Sequence, residues 1–182
     1  GPTEQIVEES DDDPKQRAKR KCASALLNMT LREQIQKQFV EEGGLHALLH
    51  LTTSTNDEET VYNCAASLVN VCSEAHDTRK LLEYGTMQVL AHLAKMEDDD
   101  RAQQYAAMAL CGLSEDTGTE EWLVQEGILP TLLLLHSSTN AYTLMVAATT
   151  MINITGALSG PQSDVTNKAI MRCLNTLITP GG

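Results

Sequence analysis

The chain has 182 residues, a formal net charge of −12 and only 3% aromatic residues, one Trp, one Phe and four Tyr among them. A chain of this length buries roughly 70% of the surface its unfolded form exposes. Its core must be built from Leu, Ala, Val, Ile and Met, and the strong helix propensity of Ala and Leu, set against the strand preference of β-branched and aromatic residues, points to an all-α fold. The acidic balance argues against nucleic acid, whose phosphates need clustered Lys and Arg. No apolar run approaches the ~20 residues of a membrane helix, and no signal-peptide pattern opens the chain. Five cysteines, an odd number, fit a reducing cytoplasm or nucleus better than a disulfide framework.

At the amino terminus, Gly1-Pro2 has the form of a protease-cleavage remnant and is set aside. Residues 1–14 read as an acidic leader or, because Ile6-Val7 fall 42 places before Leu48-Leu49, as the remnant of a preceding repeat; in the second case the array extends beyond this chain. A long helix carrying CASALLNMT (22–30) comes next, then a short helix in REQIQKQFVEE (32–42), then a third helix beyond Gly43 carrying the Leu-rich HALLHL. The same order returns. CAASLVNVC (64–72) and AAMALCGLS (106–114) follow at successive offsets of 42, and AATTMINIT (147–155) arrives one residue early. An independent segment keeps the same period, setting Gly43, Gly85 and Gly127 in register. The repeats divide the chain into units at 15–57, 58–99, 100–140 and a divergent 141–182.

Each unit is expected to hold three helices. Asn56 or Asp57, Asp99 or Asp100, and Asn140 are placed to cap the long helices. The aligned glycines suit the left-handed turn that ends a short helix. Unit four breaks the pattern: GALSGPQSD (156–164) holds extra Gly and Pro, and no glycine falls near Ala169, so helix boundaries over 163–169 are poorly specified.

Columns counted from the aligned asparagine (Asn28, Asn70, Gly112, Asn153) separate packing from surface at 100° per residue. Six before it stand Cys22, Cys64, Ala106 and Ala147; three before, Ala25, Ser67, Ala109 and Thr150; two before, Leu26, Leu68, Leu110 and Met151; one after, Met29, Val71, Leu113 and Ile154. All are small or apolar and are expected in the core. Cys64 and Cys72 lie eight residues apart on one helix, about 12 Å, too far for a disulfide, whose Cα atoms lie within ~7 Å. The cysteines therefore read as structural, His46 and His50 as an exposed helix face, and the acidic run 97–100 as a solvated capping turn. No metal, cofactor or catalytic constellation is expected.

The other side of the long helix is more polar and more varied. Positions 11, 7 and 4 before the asparagine, and the asparagine itself, fall within about 60°. They read Arg17, Lys21, Ser24, Asn28; Glu59, Asn63, Ala66, Asn70; Arg101, Tyr105, Met108, Gly112; Tyr142, Val146, Thr149, Asn153. Beside them, eight before, stand Arg20, Tyr62, Gln104 and Met145.

The segments A-x-x-A-L-x-N-L and E-x-G-x-L-x-x-L-x-x-L resemble the armadillo-repeat family over residues 15–178. That resemblance implies a right-handed α-solenoid of about four armadillo repeats, three helices per repeat, whose long helices line a concave groove for an extended peptide. It implies a non-catalytic adaptor or scaffold. The alternatives are a regulatory or oligomerisation domain of a larger protein, or a chaperone-type regulator contacting a folded partner through Trp122 and the third helices. In the groove reading Asn28, Asn70 and Asn153 face the ligand backbone, a carboxamide offering both a donor and an acceptor. The competing reading has them hydrogen-bond the neighbouring repeat. Gly112 either breaks this ladder or makes room for a bulky ligand side chain. Import receptors of the family carry Trp four before the asparagine; Ser24, Ala66, Met108 and Thr149 stand there, which removes the basic-cargo expectation. Arg17, Arg20, Lys21 and Arg101 against one acid, Glu59, suggest a partner segment acidic or phosphorylated near unit one and apolar or aromatic near Tyr105, Met108 and Tyr142.

Overall fold

The computed structural model describes residues 13–73, 77–157 and 164–178, and these contain eleven α-helices and no strand. The leader at 1–12, the extra Gly and Pro at 160 and 161, and the carboxyl-terminal Pro180-Gly181-Gly182 lie outside the described residues.

The first three units each carry a long, a short and a third helix. These are α1 (Pro14–Thr30), α2 (Glu33–Glu41) and α3 (Gly44–Thr53); α4 (Glu58–Ser73), α5 (Thr78–Glu83) and α6 (Thr86–Ala94); α7 (Asp100–Ser114), α8 (Glu120–Gln125) and α9 (Ile128–Leu134). The fourth has α10 (Ala141–Ala157) and α11 (Asp164–Ile178). Long helices pack in sequence, α1 on α4, α4 on α7 and α7 on α10. The third helices α3, α6 and α9 form a second row, extended by α11, and each of α3 and α6 also packs on the long helix that follows it. Between the rows lies the core, with Leu48, Leu68, Leu90, Leu93, Leu110, Leu113, Leu132 and Ile154 all fully buried. Burying each such side chain contributes roughly 1.5–3 kcal/mol.

The helix boundaries follow local chemistry. Gly43, Gly85 and Gly127 have φ of 86°, 87° and 97° and stand immediately before the third helices. Side chains with a Cβ rarely adopt that conformation, so each glycine ends one helix and starts the next. In unit four Ala169 occupies the corresponding place, and a single helix, α11, runs through where the other units have two. The three-helix expectation fails there because nothing in the backbone forces the break.

The capping expectations resolve onto Asp57, Asp99 and Asn140. Asp57 Oδ2 accepts from the Thr60 amide at 2.9 Å, Asp99 Oδ1 from the amides of Arg101 and Ala102 at 3.1 and 2.9 Å, and Asn140 Oδ1 from that of Tyr142 at 2.9 Å.

The core columns hold in units two to four; in unit one only Leu26 packs on the core, half-buried, and the other three positions fail. Cys64, Ala106 and Ala147 are fully buried, as are Ser67, Ala109 and Thr150, while Cys22, Ala25 and Met29 are exposed, Met29 at 41%. The physical reason is positional: this flank of each later long helix is covered by the preceding one, and no described helix precedes α1. Of the cysteines, Cys64, Cys72 and Cys173 are buried, Cys111 is half-buried and Cys22 exposed; all are free. Desolvation pushes the Cys64 thiol up to about 12 and Cys173 to about 11, and raises Cys72 further, so none of these three is a thiolate near neutral pH. Among the described residues no group of three His, Cys, Asp or Glu could hold a metal ion, and no helix is long and apolar enough to cross a membrane.

Candidate functional site

The long helices α1, α4, α7 and α10 present their varied stripe on the side opposite the buried column of Leu68, Leu110 and Met151. Arg17, Lys21 and Asn28 are exposed on α1; Ser24 is half-buried. On α4, Glu59 is exposed and Asn63, Ala66 and Asn70 are half-buried. On α7, Arg101 is exposed and Tyr105, Met108 and Gly112 are half-buried. On α10, Tyr142 and Thr149 are exposed, Asn153 is half-buried, and Val146 is buried. All of these positions except Val146 are thus exposed or half-buried, on long helices that pack one on the next.

Many of them are committed to the junctions between units. Asn70 Nδ2 donates to Thr30 Oγ1 of the preceding unit at 3.3 Å, and Asn153 Nδ2 donates to Ser114 Oγ at 3.0 Å. Both hydroxyls in turn donate to carbonyls of their own helices, Thr30 to Leu27 at 2.9 Å and Ser114 to Cys111 at 2.7 Å, which turns an oxygen lone pair towards the amide. Asn63 Nδ2 likewise donates to Ser24 Oγ at 3.1 Å. The bonding across repeats is therefore present for Asn70 and Asn153, with the carbonyl oxygen Oδ1 of each not used in it.

Gly112 belongs to the same system. Two residues after the asparagine position stand Thr30, Cys72 and Ser114; the next unit carries Asn70, Gly112 and Asn153 respectively. A hydroxyl is followed by an amide, and the thiol by glycine. A Cβ at Gly112 would lie 3.0 Å from the Cys72 carbonyl oxygen and 3.0 Å from the Ser73 Cα. That space is filled by the end of α4, so the expectation that Gly112 makes room for a ligand side chain is overturned. The signal was in the sequence as a pairing of two columns, visible only once the helices are known to meet there.

A second set of contacts ties the residue eight before the asparagine to the next unit's capping residue. Arg20 Nε donates to Asp57 Oδ1 at 2.6 Å, Tyr62 Oη to Asp99 Oδ1 at 3.3 Å, and Asn140 Nδ2 to Gln104 Oε1 at 3.4 Å. The Arg20 guanidinium holds the Asp57 carboxyl down at about 2, with the Thr60 hydroxyl and amide assisting and burial opposing. The Arg101 guanidinium stacks over the Tyr62 ring at 3.7 Å from its centroid, and burial together with the Asp99 charge raises the Tyr62 phenol. Arg20 and Tyr62 are thus structural as well as surface residues.

On the short helix α8, Trp122 is 39% exposed and lies under the Arg79 guanidinium at 4.9 Å. Nearby, a shallow groove of ≈ 430 Å³ between α6 and α9 is lined by Leu82, Met87, Ala91, Pro130 and Leu134, with Lys95 and Glu126 also in its wall. His46 and His50 are both exposed on α3.

No protein-family model and no curated protein matches the chain. In three dimensions it is similar to the crystal structure of an engineered protein, with a TM-score of 0.67 at 24% identity over 91% of this chain. The match spans 65% of that protein's length, and it is a likeness of fold alone.

Proposed function

We propose that this chain is a non-catalytic interaction module of armadillo type, whose stacked units wind into a right-handed solenoid and whose long helices line a groove for an extended segment of another protein. The observation that carries this reading is the division of labour on the long helices. In the inner units their other sides are taken up by neighbouring helices, which leaves one continuous stripe for a partner. Along that stripe the chemistry changes, from Arg17, Lys21 and Asn28 at one end to Tyr105, Met108, Tyr142 and Met145 at the other. Such a gradient suits a segment with acidic or phosphorylated residues towards unit one and apolar or aromatic residues towards unit four. Asn28 offers its whole amide to that segment, whereas Asn70 and Asn153 offer mainly Oδ1. The five cysteines, an odd number, suit a module of the reducing cytoplasm or nucleus.

Short segments selected on the wild-type protein from a displayed library should be rich in Asp and Glu followed by aromatics. Their affinity should fall at least tenfold, about 1.4 kcal/mol, in Arg17→Glu/Lys21→Glu, with an unchanged circular dichroism spectrum. Arg20 stays in place because its ion pair with Asp57 holds a junction. Binders indifferent both to that variant and to Tyr105→Ala/Met108→Ala would overturn the proposal. A second reading, contact with a folded partner through the short and third helices, draws on the exposed Trp122 of α8 and the groove between α6 and α9. It predicts that Trp122→Ala, and not the stripe variants, removes binding.

A further inference from the structure

The two end flanks of the stack carry matching halves of the contact that joins its units. Towards the following unit, each inner junction buries the residue five before the asparagine, Ala23, Ala65 and Ala107, each at 0% exposure, and the residue two after it, Thr30, Cys72 and Ser114. On α10 the same columns hold Ala148 and Thr155, and both are exposed; beside them Leu144 is 37% and Ile152 68% exposed. Towards the preceding unit, the columns buried on α4, α7 and α10 hold Ala18, Cys22, Ala25 and Met29 on α1, all exposed. One end presents the trailing side of a junction, the other the leading side.

Helix α10 reinforces the point. It has no charged residue among its 17, a composition that normally belongs to a helix covered on all sides. The polar part of the junction is also poised. Thr155 Oγ1 donates to the Met151 carbonyl at 2.7 Å, as Thr30 and Ser114 do within their own helices, leaving its oxygen to accept. The amide that would donate to it is the counterpart of Asn70 and Asn153, and that counterpart is Asn28, which is exposed.

We infer that the chain associates head to tail with a second copy of itself, the α10 flank of one packing on the α1 flank of the next with Asn28 donating to Thr155. Such a contact is heterologous, so it leaves a free flank at each end and adds further copies. It lacks one element of an internal junction, because Met145 and Lys15 occupy the places held by Arg20 and Asp57. The association is accordingly weaker than the inner junctions and reversible, and salt strengthens it by screening the repulsion between copies of charge −12.

Sedimentation equilibrium of the full chain tests this directly. The wild type should show a mass that rises with concentration beyond that of a dimer. Ala25→Asp and Ile152→Asp each blunt one flank at an exposed position, so each should fold, by circular dichroism, and remain monomeric. Mixed together they should form a 1:1 complex and nothing larger, since each supplies the flank that the other has lost. A wild type that stays monomeric at every concentration would overturn the inference; if Ile152→Asp also lowered its melting temperature, the flank would belong to the chain's own remaining residues. A symmetric dimer abolished by either variant, with no complex on mixing, would overturn it as well.

Discussion

The junctions on either side of α4/α7 close through a side-chain amide, Asn70 on Thr30 and Asn153 on Ser114, whereas α4/α7 closes through bare backbone, Gly112 lying against the carbonyl of Cys72 and the Cα of Ser73. The outer contacts at the capping residues differ in the same way: an ion pair at the first junction, a phenol–carboxylate bond at the second, an amide pair at the third. One geometry is thus met by three chemistries. What the stack requires at each place is a filled space and a satisfied polar group; the residue types that supply them vary as pairs.

The strongest way to break this comparison is to give the middle junction the residue of its neighbours. Gly112→Asn should destabilise the protein by about 3 kcal/mol, because the new side chain must displace main chain and cannot swing aside. In a chain of this size that corresponds to a fall of roughly 6–12 °C in melting temperature. A melt within about 2 °C of wild type would show that α4 and α7 can part at little cost, and that the glycine is incidental.

Removing the amides should cost less. Asn70→Ala and Asn153→Ala each lose one hydrogen bond across a junction, worth about 1 kcal/mol in a urea unfolding series. Asn28→Ala, from the same column but exposed, should stay within about 0.5 kcal/mol. Equal losses at all three positions would mean that the column does not act through the junction, since exposed Asn28 crosses none and Ala is the better helix former.

The smallest effect is expected at the capping contacts, and its signature is pH. Asp57 titrates well below its ordinary 3.8, at about 2. A depressed carboxyl stabilises the fold above its unfolded pKa and loses that contribution as pH falls from about 4 through 2. Arg20→Ala should therefore cost up to about 1 kcal/mol near neutral pH, and the difference from wild type should shrink across that acid window. Gln104→Ala, facing the non-titrating Asn140, should show no such convergence. A pH-independent Arg20→Ala difference would assign its effect to lost packing of the side-chain stem.

Several of these features were legible in the sequence because they are local. Gly43, Gly85 and Gly127 could be placed at helix breaks from a backbone requirement alone, and the helix starts could be placed to within one residue, at Asn56 or Asp57, Asp99 or Asp100, and Asn140, from the needs of unpaired amides. The continuous α11 is the converse case: the missing glycine near Ala169 marked a doubtful boundary, and the structure shows that without it the helix runs on. The candidate surface was read less completely. Its stripe was identifiable by helical angle, yet Arg20 and Tyr62, chosen as surface residues, are held by Asp57 and Asp99 some 37 residues away. Thr30 and Ser114 attracted no functional reading, since the amides they accept from come from the next unit.

The sequence by itself determined the period, the three-helix unit, the breaks and caps, and which side of each long helix is apolar, because these depend on spacing along one chain. Only the tertiary structure decided which apolar positions are buried and which polar ones are satisfied. Cys22 and Cys64 occupy one column and have the same side chain, yet one is exposed and the other fully buried. Burial and hydrogen bonding belong to pairs of surfaces, and a sequence column names only one member of each pair.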